Sequence, residues 1–265
     1  MAQLDLRLEM SKAAYLQYSP VPCTVRIRNL GAEPVNWTDA ASEKPWLEMI
    51  VQAIDGLMVP PEKPLEISPP VLPPGGSAKI GLDLAPHYLV REPGGYQVRA
   101  CVHLPSGQTL WTEPLTFLIG RGEVIWTVPR GEGRERRVFS LLKFFEDPNV
   151  GLYLRIEVPE KNLVFPSLRL GSYLPLGKPQ AEFDSKNHLH VLHAVAAGSY
   201  RLTVVNPEGK ILREESWQAG AGSPALRIDP DRQISVQGGS LILPSHLREQ
   251  LSTLQARSGA VPDSR

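Results

Sequence analysis

The densest run of groups able to do chemistry is Asp184-Ser185-Lys186-Asn187-His188-Leu189-His190-Val191-Leu192-His193. In an extended strand His188 and His190 project to one face, and neutral imidazoles two residues apart can share a metal ion. Metal sites built on such a pair also take a carboxylate a few residues on, and Val191 to Gly198 contains no Asp or Glu. The competing reading is a solvent-facing side of a strand, with Leu189 and Val191 in the core and His193 an inward-facing histidine. That reading is preferred because a metal site needs a third and a fourth ligand. No metal and no other cofactor is expected.

Other catalytic patterns are missing. There is no Gly-x-Ser-x-Gly elbow, and neither Cys23 nor Cys101 has the basic, helix-starting surroundings that activate a thiol. Gly131-Glu132-Gly133 lacks the third glycine and the strand–helix context of a phosphate loop. Glu214 and Glu215 fall on opposite faces of a strand and cannot act on one substrate. The chain is therefore expected not to be an enzyme. Asn36-Trp37-Thr38 is a glycosylation sequon that matters only in a eukaryotic secretory route. The five tryptophans suggest glycan stacking. Trp37, in a polar loop, is expected to be the exposed one and is the candidate ligand-binding residue. Trp46 and Trp126 flank strands and suit packing.

These groups must be positioned by strands. In 265 residues, 26 prolines and 22 glycines punctuate short β-branched runs, the signature of many strands joined by tight turns. Leu4, Leu6 and Leu8 alternate with Asp5, Arg7 and Glu9. Cys23 to Leu30, Trp46 to Ile54, Ala78 to Leu84, Tyr96 to Val102, Thr109 to Trp111 and Leu115 to Ile119 continue the series. Asp55-Gly56 predicts a two-residue hairpin loop. Residues 59–76 carry Pro60-Pro61, Pro69-Pro70 and Pro73-Pro74, and read as a connection or sheet edge in preference to a polyproline ligand.

Val25-Arg26-Ile27-Arg28-Asn29-Leu30-Gly31, Leu72-Pro73-Pro74-Gly75-Gly76-Ser77 and Gly95-Tyr96-Gln97-Val98-Arg99-Ala100 occur in that order. Residues 4–128 thereby resemble the bacterial immunoglobulin-like domains of the cell-adhesion-related and intracellular proteinase inhibitor type. The resemblance implies a β-sandwich, in which Tyr96 packs at a sheet end with its hydroxyl on backbone, and carries over no catalytic residue. Cys23 and Cys101 fall on strands where immunoglobulin domains often place a disulfide. Alternation argues otherwise: Cys23 shares the parity of Val25 and Ile27, whereas Cys101 lies with Gln97 and Arg99. Two unbridged thiols are expected unless a bulge resets the parity.

Residues 130–137, rich in alternating charge, read as a domain boundary, and the interleaved Glu132 and Glu135 argue against a nucleic-acid patch. Strand signals then resume at Val138 to Phe145, Gly151 to Val158, Leu163 to Leu170, His188 to His193, Tyr200 to Val205 and Lys210 to Leu212. Asn206-Pro207-Glu208-Gly209 makes a turn. The stretch from Phe183 to Gly209 is similar to a propeller-blade edge, but too little chain is present for a closed propeller. The expected architecture is all-β. An immunoglobulin-like sandwich over 3–128 and a linker over 129–137 come first. A second small β domain, sandwich or open barrel, spans 138–243, followed by a short helix over 244–256 and a disordered tail over 257–265.

Charge is balanced at 28 basic and 28 acidic residues, which gives no general attraction to nucleic acid, and no run approaches the ~18 apolar residues of a spanning helix. Met1-Ala2-Gln3-Leu4 is either a cytosolic start or an initiating Met ahead of a mature exported chain. The second is preferred because tandem sandwich domains are common outside the cytoplasm. The expectation is a non-catalytic binding or scaffolding protein, periplasmic or extracellular, with a protein or glycan partner. Two alternatives stand beside it: a protease inhibitor using the 59–76 loop, and a metal-dependent enzyme built on His188 and His190.

Overall fold

The computed structural model describes residues 3–37 and 45–243, and there the regular elements are β-strands apart from two 3-10 turns, Gly133–Glu135 and Pro159–Lys161. The chain is all-β, and it divides into two compact units, residues 1–169 and 170–265. The expected helix at 244–256 and tail at 257–265 lie outside the described residues.

In the first unit, β1 (Leu4–Met10), β3 (Pro22–Asn29) and β6 (Ser77–Asp83) form a three-stranded antiparallel sheet in the order β1-β3-β6. A six-stranded sheet runs β2 (Ala14–Leu16), β9 (Leu115–Gly120), β7 (Gly94–His103), β4 (Leu47–Ala53) and β5 (Met58–Val59), with β8 (Thr109–Trp111) also paired to β7. Alternation sends every second residue of both sheets into one core, where Val25 and Ile27 meet Met49, Val98, Ala100 and Phe117. Fully burying each large aliphatic side chain contributes about 1.5–3 kcal/mol. The Tyr96 ring stacks on Phe117 at 5.5 Å and its hydroxyl donates to the Glu92 carbonyl at 2.8 Å. This is the sheet-end packing that its sequence position suggested.

The β4–β5 turn differs from its expected form. Ala53 N–H bonds Leu57 O at 2.8 Å, so the loop is Ile54-Asp55-Gly56, three residues with Gly56 at φ +90°. A three-residue loop needs its left-handed conformer only at the last position, and Gly56 fills it. The proline-rich segment is a connection pinned at several points. Leu72 and Val35 exchange backbone hydrogen bonds at 2.8 and 3.0 Å, and the Trp46 indole N–H donates to Ile67 O at 2.6 Å.

β10 (Glu123–Arg130), β11 (Arg137–Phe145), β12 (Val150–Val158) and β13 (Leu163–Val164) build a further antiparallel sheet in this unit. Arg130 pairs with Arg137, so the stretch expected as a linker contains the turn of the β10–β11 hairpin. A solvated turn and a solvated linker have the same polar, glycine-containing composition. The unit extends to 169 because this sheet is tied to the earlier one. Ser167 donates its N–H to Tyr18 O at 2.7 Å and its hydroxyl to Gln17 O at 2.9 Å. Gly120 and Gly122 leave room for the Phe144 ring and the Leu16 side chain, which an added Cβ would meet at 2.6 and 2.7 Å.

A buried carboxylate adds to these ties. Glu146, in the β11–β12 turn, accepts hydrogen bonds from Lys12 Nζ at 2.7 Å, Arg169 Nη2 at 2.7 Å and the Tyr153 hydroxyl. Gly151 makes room for it, since a Cβ there would lie 2.8 Å from both the Glu146 carboxyl carbon and the Tyr153 ring.

After β14 (Leu168–Ser172), the second unit contains a five-stranded antiparallel sheet. Its order is β15 (Gln180–Phe183), β16 (Leu189–Ala196), β17 (Ser199–Val205), β18 (Ile211–Gln218) and β21 (Ser240–Ile242). A two-stranded ribbon, β19 (Ala225–Ile228) and β20 (Ile234–Gln237), brings Leu226 and Val236 against Leu192, Leu202 and Val204 on one face of that sheet. The opposite face, with Leu189, Val191, His193 and Val205, is buried as well.

Candidate functional site

Asp184 opens the turn between β15 and β16 and organises it through one carboxylate. Its Oδ1 accepts the backbone N–H groups of Lys186 at 2.8 Å and His188 at 2.9 Å. Its Oδ2 lies 3.0 Å from His188 Nδ1 and 3.2 Å from His190 Nε2. A carboxylate only accepts, so both imidazoles point an N–H at the same oxygen. The structure thus brings His188 and His190 together through a residue that precedes them, and not through a carboxylate downstream. The solvent-facing reading of this strand side is corrected for His190, which is 6 % exposed. His190 shares its face with Leu192, and the ribbon covers that face. Burial pushes the His190 imidazole below its ordinary value despite the pull of Asp184. Burial alone would raise Asp184, but the His188 backbone N–H and the His190 side chain outweigh it and hold the carboxyl below its usual range. The arrangement is a turn locked by four donors. His193 lies on the other face and is buried, as its inward parity suggested.

Trp37 is corrected more sharply. It is 5 % exposed, its ring packs 5.2 Å from Trp46, and its indole N–H donates to His103 O at 2.7 Å. A buried indole needs an acceptor, and the carbonyl at the end of β7 supplies one. Its face is therefore not available to stack on a sugar.

The two cysteines sit on different sides of the β7 sheet and are not bridged. Cys23 belongs to the core, where burial, with a smaller push from Asp83, raises its thiol to about 12 and leaves it inert. Cys101 is buried on the outer face, in a group that sequence reasoning missed. Glu48 of β4 lies directly opposite Cys101, and His103 follows two residues later on the same face. His103 Nε2 is 3.6 Å from Cys101 Sγ and 3.4 Å from Glu48 Oε2, while Nδ1 lies 3.0 Å from Thr109 Oγ1. Among the described residues this is the only group of three metal-ligating atoms lying within 4.8 Å of one another. The available signal was the Cys-x-His spacing on one strand, which shares a face. The carboxylate arrives through strand pairing and leaves no local mark in the sequence.

No protein-family model matches the chain, and no curated protein matches it in sequence.

Proposed function

We propose that this is a non-catalytic binding or scaffolding protein of the bacterial envelope or exterior, with an immunoglobulin-like sandwich within residues 3–128. The family resemblance supports the sandwich, and the frequency of tandem β domains outside the cytoplasm supports the compartment. Two sheets sharing one core, with the N-terminal chain crossing from β1 in one to β2 in the other, support the sandwich too.

The observation that carries the binding role is the β4–β5 tip, where Ile54, Leu57 and Met58 are 65 %, 69 % and 57 % exposed. Three large apolar side chains on one turn suit an apolar protein surface. The turn is rigid: Ile54 N–H donates to Gly95 O at 2.9 Å, Gly56 N–H to Ala53 O at 2.9 Å, and Leu57 N–H to the Asp55 carboxylate at 3.1 Å. Such preorganisation lowers the ordering cost of association. Replacing all three by Ser is expected to leave folding intact and to weaken capture of the partner by about 2 kcal/mol or more. Cross-linking in source cells followed by quantitative binding measures this. A partner bound equally well by the variant removes the reading.

A protease-inhibitor reading is favoured by one feature of the 59–76 loop. Val71 is 63 % exposed between Pro70 and the buried Leu72, on backbone anchored to Val35. The expected result is slowed turnover by at least one member of a protease panel incubated with the intact chain, lost in Val71→Asp. Unchanged turnover across the panel rejects it. A metal-dependent enzyme built on His188 and His190 has no comparable support, because Asp184, His188 and His190 do not bring three ligand atoms within 4.8 Å of one another.

A further inference from the structure

We infer that the outer face of the β4–β7–β8 sheet carries a zinc site formed by the Cys101 thiolate, His103 Nε2 and the Glu48 carboxylate. The spacing carries the argument. Tetrahedral zinc has Zn–S of about 2.3 Å and Zn–N and Zn–O of about 2.0–2.2 Å, which separates sulfur from nitrogen by about 3.6 Å and nitrogen from oxygen by about 3.4 Å. The observed separations are 3.6 Å for Cys101 Sγ to His103 Nε2 and 3.4 Å for His103 Nε2 to Glu48 Oε2. Backbone register produces this convergence, since Glu48 pairs with Cys101 and Thr109 pairs with His103.

Thr109 supplies the orienting contact that metal-bound imidazoles carry. With His103 Nδ1–H donating to Thr109 Oγ1 at 3.0 Å, the Nε2 lone pair faces the thiol and the carboxylate. A thiolate, an imidazole and a carboxylate form a borderline-soft donor set that suits zinc better than magnesium or calcium. On binding, the Cys101 proton leaves to solvent and the sulfur donates as thiolate. Three protein ligands leave the fourth position to water or an exchangeable ligand. Metal reaches the site past Glu48, which is part exposed, while Cys101 is buried.

The test uses the full chain, reduced and stripped with chelator, titrated with Co2+ and then with Zn2+. The expected result is uptake of one equivalent of Co2+ with a thiolate-to-cobalt charge-transfer band in the near ultraviolet, and loss of that band when Zn2+ displaces it. Cys101→Ser abolishes the band, whereas Cys23→Ser and the His188→Gln/His190→Gln pair retain it. Thr109→Val, which leaves all three ligands in place, weakens affinity about 10-fold or more through the histidine's orientation. Absence of the band in the unmutated protein at saturating Co2+ overturns the proposal, and this arm does not depend on any variant folding. A band that survives Cys101→Ser overturns it as well.

Discussion

Asn29→Asp is expected to cost about 4 kcal/mol of folding stability at pH 7, although the two side chains have nearly the same shape. Asn29 ends β3, is fully buried, and donates from one amide nitrogen to Glu33 O at 2.7 Å, Leu72 O at 3.1 Å and Pro73 O at 3.3 Å. Its Oδ1 accepts the Gly31 N–H at 2.9 Å. One side chain thereby fastens the end of a core strand to the proline-rich connection. Aspartate keeps the acceptor but turns an oxygen toward three carbonyl oxygens, so the donors are lost and a buried negative charge has no counterion. The charge is disfavoured only in the folded state, which raises the folded pKa above the unfolded value. The variant's deficit therefore grows as pH rises above about 4, the ordinary Asp value, and levels off above the raised folded value. Urea titrations at pH 4 and pH 7 measure both. A deficit that is the same at the two pH values would show that the lost donors, and not the charge, are the cause.

Glu146→Gln carries the second large effect, with the opposite dependence on pH. Burial alone would raise this carboxyl, but the hydrogen bonds of Arg169, Lys12 and Tyr153 overcome it and hold the pKa at about 2, against an ordinary 4.5. That displacement corresponds to about 3 kcal/mol, and solvent access to Lys12 and Arg169 reduces it to about 2 kcal/mol. A depressed carboxyl stabilises the fold fully above its unfolded pKa, and the contribution fades as pH falls through the folded value. The gap between wild type and Glu146→Gln is thus full at pH 7, shrinks below about pH 5 and closes near pH 2. Glu146→Ala is expected to cost more, about 3 kcal/mol, because the buried Tyr153 hydroxyl also loses its acceptor. Denaturation of both variants between pH 7 and pH 3 provides the check, and a gap that does not narrow on acidification rejects the account.

Strand positions and the 206–209 turn were legible because both depend on neighbours in sequence. Alternation at Leu4 to Glu9 and Cys23 to Asn29 needs only a backbone of period two and one apolar side. Asn206 to Gly209 closes the β17–β18 turn as its residue types require, with the Lys210 N–H bonded to the Asn206 side chain at 2.7 Å. Polar composition alone could not distinguish a hairpin turn from a linker at 130–137, since both are solvated, and only the pairing of Arg130 with Arg137 separates them. Trp37 and His190 were misjudged for a related reason. Their burial comes from Trp46 and from the β19–β20 ribbon, partners that a local pattern does not contain.

The chemistry-bearing groups divide along the same line. By itself the sequence determined that the chain is all-β and that Cys23 and Cys101 face opposite ways, because strand parity is a local property. Only the tertiary structure decided that Glu48 lies opposite Cys101, that Thr109 orients His103, and that Asp184 reaches back to both His188 and His190. Register across strands is set by the packing of the whole sheet. A carboxylate delivered by register or by a folded turn has no fixed spacing from the residues it joins.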